Sequence, residues 1–337
     1  MRGLYSSTSK GIRANTIVSS MKPMRTPILR GLKPYYRTRL GSAYLGDARQ
    51  LLRHIPDGSI NLILTSPPFA LIHRKEYGNP PPEEYVNWFR GFIGEFKRIL
   101  TPDGSLVIHI GGSWIKGEPR KNLYNFQLLL EISRELKFLQ DFYWFNPAKL
   151  PAPAEWVAVR RIRVKDAVDP IWWFSPTANP KADNRRVLTP YSEDMRRILR
   201  GEKHYRLMER PSGHRITEWF RRGGEGAIPP NLIIAPNTDS RGRYIRRCRI
   251  YGIKPHPARY PAEIPRFFIR FLTDPGDLVL DPFAGSNTTG WVAERLSRRW
   301  LSFEIREDYL KGSMLRFERD EIIEGLENYP SGEPSKA

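Results

Sequence analysis

The sequence predicts an α/β protein with a doubly wound, mostly parallel sheet and one inserted region. Three observations carry that expectation. Short apolar runs such as "INLIL", "LVIHI" and "DLVL" alternate with longer amphipathic stretches, the pattern of parallel strands buried between two layers of helices. Acids stand at the ends of several of these runs, where open α/β sheets bind ligands. Between about residues 175 and 254 the alternation gives way to Arg, Pro, Gly and Asn, which marks an insertion or small second lobe.

In chain order, residues 1–40 read as a basic arm of low structural content. "SAYLGD" (42–47) is a short strand ending at Asp47, "ARQLLRHI" a helix, and "INLILT" (60–65) a buried strand. From Glu83, the spacing of Val86, Phe89, Ile93, Phe96 and Leu100 predicts one apolar helical face. "TPDGS" is a turn, "LVIHI" (106–110) a strand, 124–136 a helix, and 138–146 and 169–174 two further strands. The rhythm resumes after the insertion with a helix over 263–272, a strand over 277–281, a helix near 288–297, the strand "WLSFEI" (300–305) and a charged helix from about Glu307. The domain expectation is therefore an arm (1–40), a first half (41–174), the inserted region (175–254), a second half (255–320), and a helix end with tail (321–337).

Charge is unevenly distributed. The formal net charge is +19, and residues 1–40 carry nine Lys/Arg with no acid, while 195–254 carry fifteen Lys/Arg against five Asp/Glu. The remainder balances. Two segregated basic segments, the internal one interleaved with Tyr205, Trp219, Phe220, Tyr244 and Tyr251, suggest a polyanion partner, and nucleic acid is favoured because no amphipathic apolar stripe points to a membrane. No apolar run approaches a membrane span and the N-terminus lacks a signal-peptide core, so a cytoplasmic protein is expected. One cysteine, Cys248, excludes an intrachain disulfide and reads as a small, partly buried residue; the six histidines lack metal-ligand spacing.

"DLVLDPFAGSNTTG" (277–290) is a strand, an acid, a loop with Gly285 and a helix that Asn287 or Thr288 could cap. It is neither the dinucleotide signature nor a P-loop. The next strand ends at Glu304, about twenty residues on, where a carboxylate can take both ribose hydroxyls. Without phosphate-binding signals, the pair fits a nucleoside such as S-adenosylmethionine. Taken alone, such a turn is also what an ordinary capped helix needs.

"TSPPF" (65–69) ends the strand "INLILT" with two prolines, which cannot extend the ladder. For methyl transfer to an exocyclic amine, acceptors on the amino protons favour a pyramidal nitrogen and offset its developing charge. The Ser66 hydroxyl and backbone carbonyls such as that of Pro67 can be those acceptors, held rigid by the prolines, and Phe69 can stack on an extruded base. A Pro-terminated strand with Phe69 in the core is the bland alternative.

With "HPARYPAEIPRFFIRFLTDPGDLVLDPFAGSNTTG" and "RRWLSFEI", these residues resemble the amino-group DNA methyltransferases of the circularly permuted beta group over roughly residues 40–315. The resemblance implies a class I S-adenosylmethionine-dependent methyltransferase fold whose catalytic half (41–174) precedes its cofactor-binding half (255–320), with target recognition between. Ser66, Pro67, Pro68 and Phe69 match the catalytic tetrapeptide; Asp281, Phe283, Gly285, Ser286 and Asn287 match the cofactor loop; Glu304 matches the ribose acid. His256 and Pro257 match the cofactor-flanking segment, and Asp47 would face the adenine. Serine at the first catalytic position implies cytosine N4 as the target. Adenine N6 or RNA remains the alternative, and a non-catalytic DNA-binding protein with a vestigial pocket a more remote one. Cytosine C5 chemistry needs a cysteine nucleophile, and Arg247 precedes the only cysteine where that chemistry usually has a proline. The partners implied are double-stranded DNA and a restriction endonuclease acting on the same site, with the enzyme a monomer. Arg241, Arg243, Arg246, Arg247 and Arg249 are the expected DNA-binding residues.

Overall fold

The computed structural model describes residues 26–71, 78–202, 224–238 and 242–330. Among these residues ten strands form one sheet: β1 (Tyr36–Thr38), β2 (Gly41–Leu45), β3 (Ile60–Thr65), β4 (Leu100–His109), β5 (Lys137–Phe145), β6 (Val168–Ser175), β7 (Leu232–Ile234), β8 (Leu278–Asp281), β9 (Arg299–Glu304) and β10 (Ile322–Glu324). Their order is β10-β1-β2-β9-β8-β3-β4-β6-β5-β7. The five central strands, β2, β9, β8, β3 and β4, are mutually parallel, and antiparallel pairs flank them on both sides. Strands β8 and β9 from late in the chain thus sit between β2 and β3 from early in it. All five central C-terminal ends consequently open onto one edge.

Side-chain alternation sorts the strands between two cores. Ile63, Leu106, Ile108 and Leu280 point to one face, against α1 (Ala48–Leu51), α2 (Pro82–Ile99) and α3 (Tyr124–Ile132). Leu62, Leu64, Val107 and Val279 point to the other, against α5 (Arg243–Ile250), α6 (Glu263–Leu272), α7 (Thr288–Arg295) and α8 (Glu307–Ser313). Helix α4 (Glu193–Leu199) lies in the inserted region and buries none of its residues.

Several expectations need correction. Residues 26–40 are no loose arm: Tyr36 is fully buried and β1 joins the sheet, while residues 1–25 lie outside the described residues. "TPDGS" lies within β4, at the start of which pairing with β3 shifts register, rather than in a separate turn. On α2, Tyr85 and Phe92 join the expected Phe89, Ile93 and Phe96 in the core while Val86 is only half-buried, because the apolar stripe is wider than the residues chosen for it. The region 175–254 contributes β7, parallel to β5, and α5, whose Tyr244, Ile245 and Cys248 are core residues. The end of the chain is not a plain tail: Ile322–Glu324 pairs with β1 at the sheet edge, and Tyr329 is buried. Among the described residues, no helix is long and apolar enough to cross a membrane.

Candidate active site

A cleft of ≈ 620 Å³ opens along the edge where the parallel strands end, lined by Asp47, Ser66, Phe69, His109, Phe283 and Glu304 among others. Register brings these groups together. Thr65 of β3 pairs with Ile108 of β4, which sets Ser66 beside His109; Asp281 pairs with Ser302, two residues before Glu304.

On one side of the cleft, acids organise the loop after β8. The Asp281 carboxylate is buried and accepts from Thr65 Oγ1 (2.7 Å), Thr289 Oγ1 (2.6 Å), the Phe283 amide (3.1 Å) and the Tyr260 hydroxyl (3.3 Å). Burial raises its pKa, and those hydrogen bonds work against the rise. Its carboxylate therefore ties β3, β8, α7 and Tyr260 together. Gly285 follows with φ +52°, in the left-handed region, and a Cβ there would stand 3.0 Å from the His256 ring. Its amide donates to Glu304 Oε2 (2.8 Å), and the Arg306 amide donates to Oε1 (2.9 Å). Burial pushes Glu304 up to about 7 despite these donors. Burial likewise pulls His256 down to about 4, so it is neutral. Ser286 lines the cleft while its Oγ accepts from Arg316 (2.8 Å). Phe283 packs edge-on against Phe92 at 5.2 Å.

Three cofactor expectations change in detail. Asn287 is buried outside the cleft lining; it caps α7 by accepting from the Gly290 amide (3.1 Å) and donates to the Tyr36 hydroxyl (2.8 Å). Its side-chain oxygen also accepts from Ser302 Oγ (2.6 Å), so these bonds are made within the protein. Pro257 is exposed and off the cleft lining, unlike its neighbours His256 and Ala258. Asp47 lines the cleft, but β2 ends at Leu45 and the Asp47 side chain caps α1 and pairs with Arg49 at 2.6 Å.

On the other side stands a group that sequence reading passed over. Ser66 Oγ lies 2.9 Å from His109 Nδ1, and His109 Nε2 lies 3.7 Å from Asp169 Oδ2. Histidine 109 reads in sequence as one residue of the strand "LVIHI"; only the pairing of β3 with β4 places it, at the end of β4, beside the Ser66 that follows β3. Pro67 is buried, and Phe69 is half-buried with its ring edge-to-face on His109 at 5.3 Å. Gly111 fixes that ring from behind, since a Cβ there would meet Phe69 Cε2 at 2.5 Å. Gly111→Ala is therefore expected to displace Phe69, lowering activity roughly tenfold or more through misplacement while leaving ligand affinity on the Glu304 side unchanged. Parallel turnover and calorimetric measurements check this.

The basic candidates separate. Arg241 lies outside the described residues. Arg243 pairs with Glu318, and Arg247 donates to the Phe317 carbonyl (2.6 Å) and to the Tyr329 hydroxyl, so Arg247 fastens α5 to the end of the chain rather than facing a ligand. Arg246 and Arg249 are exposed on α5. A second basic surface lies nearer the cleft, in the β5–β6 connection: Lys149 lines the cleft, and Arg160, Arg161, Arg163 and Lys165 are exposed. This connection lies outside the region 175–254, where target recognition is expected. Cys248 is fully buried on α5 and outside the cleft lining, which leaves no thiol for C5 chemistry among the described residues. Among the described residues no group of His, Cys, Asp or Glu is placed to hold a metal ion.

Residues 60–315 match the family described as DNA methylase. The chain is 51% identical to the type II methyltransferase M.PvuII of Proteus hauseri over 297 residues, covering 87% of this chain and 88% of that one. It is 25% identical to the type II methyltransferase M.BglII of Bacillus subtilis, over 81% and 68% of the two chains. Among solved structures, the PvuII DNA methyltransferase, titled cytosine-N4-specific, superposes with a TM-score of 0.69 and 47% identity over 86% of this chain and 90% of that one. A Thermus thermophilus protein solved with S-adenosyl-L-methionine shares the fold, with a TM-score of 0.51 and 22% identity over 84% and 94% of the chains.

Proposed function

The chain belongs to the DNA methylase family, and on that premise we propose that it methylates the N4 amino group of a cytosine swung out of duplex DNA. It is an S-adenosylmethionine-dependent methyltransferase of the class I fold. The observation that carries the cytosine reading is Ser66 at the head of Ser-Pro-Pro-Phe, in a cleft shared with the Glu304 pocket, in a chain half identical to a cytosine-N4 enzyme.

The residues present fit the methyl donor. Gly285, in the left-handed region with His256 packed against it, carries the loop along the cleft wall, and Glu304, which its amide contacts, is a buried acceptor for ribose hydroxyls. Phe283 and Asp47 line the same cavity for an adenine. When bound, the donor supplies an electrophilic methyl on a sulfonium. The protein does the rest. With the Ser66 hydroxyl donating to His109 Nδ1, its lone pairs are free to accept an amino proton, and the Pro67 carbonyl can accept the other. Phe69, braced by Gly111 and His109, offers its face to the base.

Duplex DNA is held at the mouth of the cleft by phosphate contacts from Lys149, Arg160, Arg161 and Lys165, with Arg246 and Arg249 on α5 as further cations. One extruded base needs one active site, which suits a monomer. A restriction endonuclease of the same specificity is the expected partner, and both would act in the cytoplasm.

Two measurements test this reading. Methyl-labelled S-adenosylmethionine should deliver label to duplex DNA, resistant to ribonuclease; label only in RNA would contradict it. Donor affinity should also fall as pH drops below about 7, by up to tenfold per unit, because protonated Glu304 loses an acceptor site. Glu304→Gln should weaken binding and remove that dependence, read by calorimetry. The same raised pKa means that, in the ligand-free protein, the Glu304 contribution to stability is greatest below the ordinary 4.5 and is lost as pH rises toward 7.

A further inference from the structure

Methylating an amine releases a proton, and the proposed function leaves open where it goes. Beside Ser66, on the same wall of the cleft, is a second group able to take it. His109 Nδ1 contacts the Ser66 hydroxyl at 2.9 Å, while Nε2 is buried without a hydrogen-bond partner and faces the Asp169 carboxylate at 3.7 Å. A carboxylate on the Nε2 side favours the tautomer with its proton there, which leaves Nδ1 as an acceptor. Aromatic rings wall the imidazole in: Phe69 at 5.3 Å, Trp144 at 5.4 Å and Tyr260 at 6.2 Å between ring centroids.

We propose that His109, acting through Ser66, accepts the proton that the target amine loses, and that Asp169 stabilises the imidazolium so formed. This rests on the methyltransfer reading above. In the step, the amine lone pair forms the N–CH3 bond as the S–CH3 bond breaks, its electron pair staying on sulfur. One amino proton passes to Ser66 Oγ while the Ser66 proton passes to His109 Nδ1. Water later removes the proton from His109. The product is a methylamine, a neutral thioether and one released proton, so the step balances. His109 is thus a positioning and proton-storing residue behind the group that touches the base.

The charges around this pair are few. Burial alone would raise the Asp169 pKa, but His109, Lys149 and Lys121 outweigh it and hold the carboxyl below its ordinary value. Lys121 is itself paired with Asp166 at 2.6 Å. Beyond Tyr260, whose phenol burial keeps neutral, stands the buried Asp281. Asp169 is therefore the anion placed directly against the imidazole.

The test compares wild type with His109→Gln and Asp169→Asn, using donor affinity to verify that each variant is folded. Wild-type kcat should fall as pH drops through the His109 ionisation, since imidazolium cannot accept a proton. His109→Gln keeps an acceptor for the Ser66 hydroxyl but no proton store; it should lose kcat roughly 100-fold with KM for DNA nearly unchanged, and the acid limb should vanish. Asp169→Asn removes the anion that favours imidazolium, so the limb should move to lower pH. NMR titration of the His109 imidazole in the donor-free protein should move the same way. A His109→Gln enzyme with wild-type kcat and an intact limb would overturn the proposal. So would an imidazole titration that Asp169→Asn leaves unmoved. Label found on an adenine amine would defeat the cytosine reading while leaving the relay test in force, and the NMR arm decides the proton connection without any turnover.

Discussion

Ser66→Ala is expected to lower kcat about 100- to 1,000-fold while S-adenosylmethionine affinity stays within about twofold of wild type. The selectivity follows from the geometry. Ser66 leaves the end of β3 between the base side of the cleft and His109, and its hydrogen bond is to His109 rather than to the Glu304 pocket. Removing the hydroxyl takes away an acceptor needed as charge develops on the amine, together with the link to His109. It leaves the Gly285–Glu304 contact and the Asp281 network untouched. Donor affinity by calorimetry and single-turnover rates on DNA separate the two effects. Equal loss in both would contradict the role assigned to Ser66.

Asp281→Ala should act in the opposite sense, weakening donor binding about 100-fold or more and destabilising the protein by on the order of 3 kcal/mol. Sequence alone suggested that this acid faces the donor. In the fold it lines the cleft, and its carboxylate gathers Thr65, Thr289, Tyr260 and the Phe283 amide, through which it fixes the loop that carries Gly285. Alanine strands those buried donors and frees the loop. Asp281→Asn keeps the shape but turns one acceptor oxygen into a donor group facing other donors, so it should recover little. Unchanged donor affinity in Asp281→Ala, measured by calorimetry beside a thermal melt, would remove the loop from the binding site.

The parts that the sequence made legible are those with a strong period or a rigid chemical demand. Apolar runs such as "INLILT" and "DLVLD" could only be buried strands, and acids or prolines at their ends mark the open edge of a parallel sheet. Ser66, Phe69, Asp281, Gly285 and Glu304 were found this way, and the cleft brings them together. What stayed hidden depends on long-range pairing. His109 sits in an apolar strand run and gains meaning only when β3 and β4 align Ser66 beside it. Ile322–Glu324 is too short to be seen as a strand without β1 as its partner. Helix α5 reads as a basic surface because Arg dominates it, yet Tyr244, Ile245 and Cys248 anchor it in the core and Arg247 is bound to the end of the chain. Asn287 carries the family pattern of a cofactor loop and caps α7 as its position before the helix suggests, but its bond to Tyr36 needs tertiary structure to be recognised.

The most direct test identifies the methylated base. The protein is incubated with mixed-sequence duplex DNA and methyl-labelled S-adenosylmethionine, the DNA is digested to nucleosides, and the labelled nucleoside is identified by mass spectrometry. Label in N4-methylcytosine is the predicted result, joining Ser66, the cleft and the reaction in one observation. Label in N6-methyladenine, with none in cytosine, would keep the fold and the donor pocket and contradict the assignment of cytosine to this active site.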